Sequence, residues 1–203
     1  MTATVFLQAA EMFAGAVEQV RDDQWDQPGL GEWDVRALVG HTLRAVTTVS
    51  SYLAQPAPDS VECGSAGEYF VRVRTLPAAD DRAVADRGHQ AGRDLGPDPL
   101  ATVRAGIARA RDRLAQLEDA DPVLPTVAGG MRLSDYLPTR TFELLAHSND
   151  LAAATGAALV VPPEVAESAL QTAVAAMARL GDGHALFLHL LGRPGGEHRP
   201  MFG

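Results

Sequence analysis

Arg140-Thr-Phe-Glu143-Leu-Leu-Ala-His147-Ser-Asn-Asp150 reads as the middle of a helix. Around it, Leu137, Thr141, Leu144, Leu145, Ser148, Leu151 and Ala152 recur at helical spacing and form one packing face. Ser134 stands where an N-cap is expected, and Gly156 stands at a C′ position. Within this helix Glu143 and His147 are four residues apart, so both project from one face with Cβ atoms roughly 5–6 Å apart. That spacing suits two ligands on one metal ion. Taken alone it is a weak signal, because a solvated Glu–His pair uses the same spacing. It gains weight only with a third ligand from another helix, and His41 is the candidate.

Working outward, the chain supplies the other helices. Val5, Phe6, Ala9, Phe13, Ala16, Val17 and Val20 give residues 3–22 an amphipathic stripe, closed by the turn Gln27-Pro28-Gly29. Asp34 is placed to cap a second helix running to about Ala54, with Leu38, Thr42, Ala45, Val46, Val49 and Leu53 on its main stripe. His41 sits beside that stripe with Ala37, Ala45 and Thr48 as its neighbours, which leaves room for something other than hydrocarbon. Residues 55–97 are broken by Pro56, Pro58, Gly64 and Gly67, with short helical pieces expected at 67–75 and 80–94. A connection of that length allows the next long helix to run parallel or antiparallel to the second. That helix, about 98–118, carries Leu100, Val103, Ile107, Ala110, Leu114 and Leu117 at the spacing of a bundle seam. Residues 119–132 read as a loop or short hairpin, and Pro162-Pro163 opens a fifth helix to about Leu180, followed by a short piece at 184–191. No long strand is expected. The fold class is therefore all-α: a four-helix bundle over 1–160 with a long crossover connection, and a helical extension over 161–203.

Composition excludes several function classes. A net charge of −9 over 203 residues and a pI near 5.0 argue against nucleic acid as a partner, since phosphate binding needs a basic face. No apolar run approaches the ~18 residues of a membrane span. Residues 1–20 hold Glu11 and Glu18 and no basic residue, so no secretory signal is expected there and the location expected is cytoplasmic. The single cysteine, Cys63, rules out an intrachain disulfide and a multi-cysteine zinc site. All seventeen basic residues are arginine, which excludes Schiff-base lysine chemistry and a P-loop. Such a composition matches the codon bias of a high-GC genome, as in many actinobacteria.

His41, Glu143 and His147 would make a His₂Glu set in a bundle core. Three protein ligands leave a fourth position open, the pattern of a catalytic rather than a structural site. Nitrogen and carboxylate ligands suit Zn²⁺, and also Ni²⁺ or Fe²⁺. Arg140 and Asp150 fall one turn either side of the pair. They either orient Glu143 and His147 or form a plain salt bridge on the helix surface.

Gly31-Glu-Trp33-Asp-Val-Arg36-Ala-Leu-Val-Gly-His41 resembles the Trp-Ser/Thr-Val-Arg-Asp/Glu-Leu-Val-Gly-His segment of the mycothiol-dependent maleylpyruvate isomerase family, in its N-terminal metal-binding domain. Tyr136-Leu-Pro-Thr-Arg140-Thr-Phe-Glu143-Leu-Leu-Ala-His147-Ser-Asn-Asp150-Leu-Ala resembles that domain's second motif, Arg-x-x-Glu-x-x-x-His-x-Trp-Asp-Leu-Ala. The resemblance covers about residues 1–160. It implies a DinB-like four-helix bundle in which His41, Glu143 and His147 bind a divalent metal, usually zinc, with mycothiol as thiol cosubstrate. Two departures stand out. Asn149 takes the place of the motif's tryptophan, and the isomerase's C-terminal domain is longer than the stretch after residue 160. Maleylpyruvate isomerisation itself is therefore not expected. The ending Leu190-Leu-Gly-Arg193-Pro resembles shorter family members.

The function expected is that of a metal-dependent thiol S-transferase or thiol-assisted isomerase, whose partners are a small thiol and an electrophile, acting as a monomer or homodimer. The alternative is a non-catalytic bundle that binds a metal, a small molecule or a partner helix. Among other candidates, His184 and His189 are five apart, a poor ligand spacing on a helix. His89 and His198 sit in polar segments, no basic cluster activates Cys63, and Trp33 reads as a core anchor.

Overall fold

The computed structural model describes residues 2–76, 81–118 and 120–197. In chain order it contains α1 (Thr2–Glu18), the strands β1 (Pro28–Leu30) and β2 (Trp33–Asp34), then α2 (Val35–Leu53), α3 (Ala66–Val73), α4 (Asp81–Asp94) and α5 (Pro99–Ala115). There follow β3 (Val123–Thr126), β4 (Gly129–Arg132), α6 (Leu133–Thr155), α7 (Pro163–Arg179) and α8 (Gly183–Leu190). The architecture is an all-α bundle. The strands form only two short antiparallel pairs, β1 with β2 and β3 with β4. The second pair decides the loop-or-hairpin alternative for 119–132 in favour of a hairpin; the first was not read from the sequence, which showed only a turn at Gln27-Pro28-Gly29.

Helix starts follow their caps. The Asp34 carboxylate accepts a 2.7 Å hydrogen bond from the Ala37 N–H and opens α2. Asp98 does the same for α5, from the Ala101 N–H at 2.9 Å, with Pro99 in the first turn. Ser134 departs from expectation. β4 runs straight into α6, so the cap position falls on Arg132, and Ser134 lies one residue inside the helix. Its N–H and hydroxyl both donate to the Asp121 carboxylate at 2.8 Å, which satisfies the free donor at the helix start from outside the helix. Gly156 ends α6 in the left-handed conformation, φ 75°.

The four long helices form a ring in which α1 and α2 each touch α5 and α6. Arg104 of α5 pairs with Glu18 at 2.9 Å and Arg111 pairs with Glu11, so α1 and α5 are antiparallel. Tyr136 of α6 donates to Thr48 of α2 at 3.0 Å while His147 meets His41, so these two are also antiparallel. Arg36 at the start of α2 reaches the Gly96 carbonyl, and Gly106 lies beside Leu43 and Thr47. α5 therefore runs parallel to α2, which resolves the orientation the sequence left open. The crossover from α2 to α5 carries α3 and α4. α4 lies along α2 at a close crossing, where a Cβ on Gly40 would sit 2.3 Å from the Ala91–Gly92 backbone. The shared core includes Phe6, Phe13, Leu38, Val46, Ile107, Leu137, Leu144 and Leu151, all buried. α7 packs on α6 and α3, and α8 on α7. Among the described residues no helix is long and apolar enough to cross a membrane.

Candidate metal centre

Because α2 and α6 are antiparallel neighbours, a side chain two turns into α2 meets side chains in the second half of α6. His41, Glu143 and His147 are brought together there, with one ligand atom of each within 4.8 Å of the others. Among the described residues no other group of three or more His, Cys, Asp or Glu side chains comes as close. The two imidazole rings stand nearly perpendicular, 86°, with centroids 5.1 Å apart. His147 Nε2 lies 3.3 Å from Glu143 Oε2, and its Nδ1 lies 3.0 Å from Asp150 Oδ2. Asp150 thus fixes the ring from behind, one turn along the helix. Both ligand side chains on α6 keep some contact with solvent, 15% for His147 and 21% for Glu143.

Electrostatics divide the two histidines. Burial pushes His41 down to about 4, and the charge of His147 pushes the same way, against Glu143. Burial opposes the charging of His147 too, but the hydrogen bonds its ring donates to the Asp150 and Glu143 carboxylates outweigh it and raise His147 to about 9. Glu143 is held below the usual carboxylate range: burial would raise it, but His147 and the Arg140 charge prevail. At neutral pH the metal-free site thus holds a neutral His41 and an imidazolium flanked by two carboxylates.

The donor set fits a divalent cation. His41 Nδ1 is buried and has no partner among the described residues, an orphaned polar atom that a protein interior ordinarily avoids. Bonds of about 2.0–2.2 Å place the ligands of a tetrahedral zinc ion roughly 3.3–3.6 Å apart, so a small side-chain movement would close the set.

Residues around the triad also take defined places. Arg140 is buried, its guanidinium 5.0 Å from the Tyr69 ring centre and 4.8 Å from that of Tyr136, with Nε donating to Thr139 Oγ1 at 2.9 Å. Trp33 belongs to the core and is also a wall of the site. Its ring lies 4.3 Å from the His41 ring, centre to centre, and its Nε1–H donates to the Ala85 carbonyl at 3.1 Å. Gly88 of α4 makes room for it, since a Cβ there would sit 2.3 Å from Trp33 Nε1. Asn149 is exposed and turns back onto its own helix, donating to the Leu145 carbonyl at 2.8 Å. Cys63 is buried outside the triad, and burial pushes its thiol up. His184 and His189 are exposed on α8, His89 is half-buried on α4, and His198 lies outside the described residues.

The family model of the mycothiol maleylpyruvate isomerase N-terminal domain matches residues 6–152. The chain belongs to this family. The match runs from α1 almost to the end of α6, so the matched region contains the whole triad, while α7 and α8 lie beyond it. Comparison with curated proteins and with solved structures gives no match.

Proposed function

We propose that the protein is a divalent-metal-dependent enzyme that uses a low-molecular-weight thiol, mycothiol, as S-transferase or thiol-assisted isomerase. The observation that carries this reading is the convergence of His41, Glu143 and His147 from two helices, within a family named for a mycothiol-dependent isomerase. His41, Glu143 and His147 would hold the ion, zinc being the first choice for two imidazoles and a carboxylate, with nickel or iron as alternatives. A divalent ion with an open position supplies Lewis acidity that turns a thiol into its nucleophilic thiolate at neutral pH.

The chain's own residues prepare the site. His41 is already neutral and needs no deprotonation to become a ligand. His147 holds a proton that it releases on becoming one, and Asp150 keeps its ring turned toward Glu143. Arg140 keeps positive charge near Glu143 without pairing to it. Trp33 covers one face of His41 and excludes water from it. The electrophile would be a small molecule with an activated carbon: loss of a leaving group gives transfer, and reversible addition to a conjugated double bond gives isomerisation.

The test is incubation of the zinc-loaded protein with mycothiol and a panel of electrophiles, read by mass spectrometry. A conjugate or isomer that forms with wild type and not with His147→Ala supports the reading; no turnover with any member of the panel counts against it.

A second reading, a non-catalytic bundle that binds a metal or small molecule, draws on one observation. Two surface clefts of about 430 and 560 Å³ have no triad residue in their lining, one between α2 and α5 beside Ser50 and Arg109, the other beside Met12 and Val160. A ligand seated in either would sit apart from the metal chemistry.

A further inference from the structure

Arg140 and Glu143 are three residues apart on α6, a spacing at which arginine and glutamate ordinarily pair. Elsewhere in the chain the same residue types do pair: Arg72 and Glu68 lie 2.6 Å apart across one turn of α3. Yet among the described residues no carboxylate lies within the 4.0 Å of an ion pair with Arg140, although it is buried, where an unpaired charge is most costly. Its guanidinium instead lies against Tyr69 and Tyr136, and its Nε is tied to Thr139. The tyrosine positions are themselves fixed. Tyr136 is fully buried, donates to Thr48 Oγ1 at 3.0 Å and packs against Tyr52 at 5.6 Å. Tyr69 comes from α3 in the crossover and packs against Tyr136 at 5.9 Å.

We infer that Tyr69 and Tyr136 form a brace that withholds Arg140 from Glu143, so that the carboxylate stays free for a cation held with His41 and His147. Tyr69, Tyr136 and Arg140 are then positioning residues. Cation–ring attraction is strongest where the cation is desolvated, and here two rings and the Thr139 hydroxyl hold the buried guanidinium. Without the ring of Tyr69, the guanidinium swings through the i,i+3 distance onto Glu143 and occupies the ligand oxygens. The inference rests on the metal reading for its consequence, though not for the geometry itself.

The experiment compares wild type, Tyr69→Phe, Tyr69→Leu and the double variant Tyr69→Leu/Arg140→Met by cobalt(II) titration, together with crystal structures of the metal-free wild type and Tyr69→Leu proteins. Tyr69→Phe keeps the ring and should bind cobalt like wild type. Tyr69→Leu should bind about tenfold more weakly, in the range usual for groups that orient metal ligands. The double variant should recover the loss, because the competing guanidinium is gone; a merely structural role for Tyr69 would leave the double variant as weak as the single. In the metal-free Tyr69→Leu crystal the guanidinium should lie on Glu143. If it stays where it is in wild type, the brace is wrong, whatever the cobalt result. If wild type takes up no cobalt, the metal reading fails, and the crystal comparison still decides the brace. Should Tyr69→Leu not fold, Tyr69→Met removes the ring with less loss of volume and is read in the same way.

Discussion

At the residue scale the triad is defined by what surrounds each nitrogen. Asp150 holds His147 Nδ1 at 3.0 Å, so Asp150→Asn should weaken metal binding by about 10- to 100-fold while leaving the fold intact, measured by competition with a chromophoric chelator. The two histidines also make opposite statements about pH. His147 has a folded value raised to about 9, above the ordinary 6.5, so its stabilisation is full below pH 6.5 and is lost as pH rises through about 9. His41 has a folded value lowered to about 4, so its contribution is present above pH 6.5 and is lost as pH falls through about 4. The metal-free protein should therefore show greatest urea resistance near pH 6.5, falling on both sides, with the alkaline fall absent in His147→Ala. Metal uptake must expel the His147 proton, so affinity should rise about tenfold per pH unit between 7 and 9, with release of close to one proton in calorimetry in buffers of different ionisation heat.

At the scale of elements, the helices and their order were legible because their apolar stripes are long and regular. Asp34 and Gly156 sit where cap chemistry places them, while the Asp98 cap of α5 came only from the structure. Helical spacing put Glu143 and His147 on one face and left His41 as a candidate third ligand; the resemblance of both motifs to the family's metal-binding domain joined the three, and the structure brings them together. What escaped were contacts between distant elements. Trp33 on His41 depends on a hairpin before α2 and on Gly88 in α4, and no local periodicity encodes that meeting. The place of Arg140 against a ring was not legible either, because Tyr69 arrives from α3 through an irregular crossover. Ser134 was misread as a cap because the strand leading into α6 left no loop signal. The Trp33 wall has a direct consequence: Gly88→Val should force the ring from its place and cost about 1–3 kcal/mol in urea unfolding, as overpacking does in a closed core.

At the scale of the whole molecule, the site ties α2 to α6 across the bundle, with α4 and the β1–β2 pair closing one side. A ligand that binds only the folded state stabilises it by mass action, about 2.7 kcal/mol at a hundredfold excess over Kd. For a chain of this size that corresponds to a Tm increase of roughly 5–10 °C, expected on zinc addition to wild type and absent in His147→Ala by scanning calorimetry. The central claim is that His41, Glu143 and His147 together hold one divalent ion, and metal content tests it most directly. Untagged wild-type protein and His147→Ala, purified without chelator and then exposed to zinc, nickel and iron, would be analysed by inductively coupled plasma mass spectrometry. One equivalent of metal in wild type and its loss in the variant is the expected result. No metal in wild type under any of these conditions, or equal metal in both proteins, would contradict it.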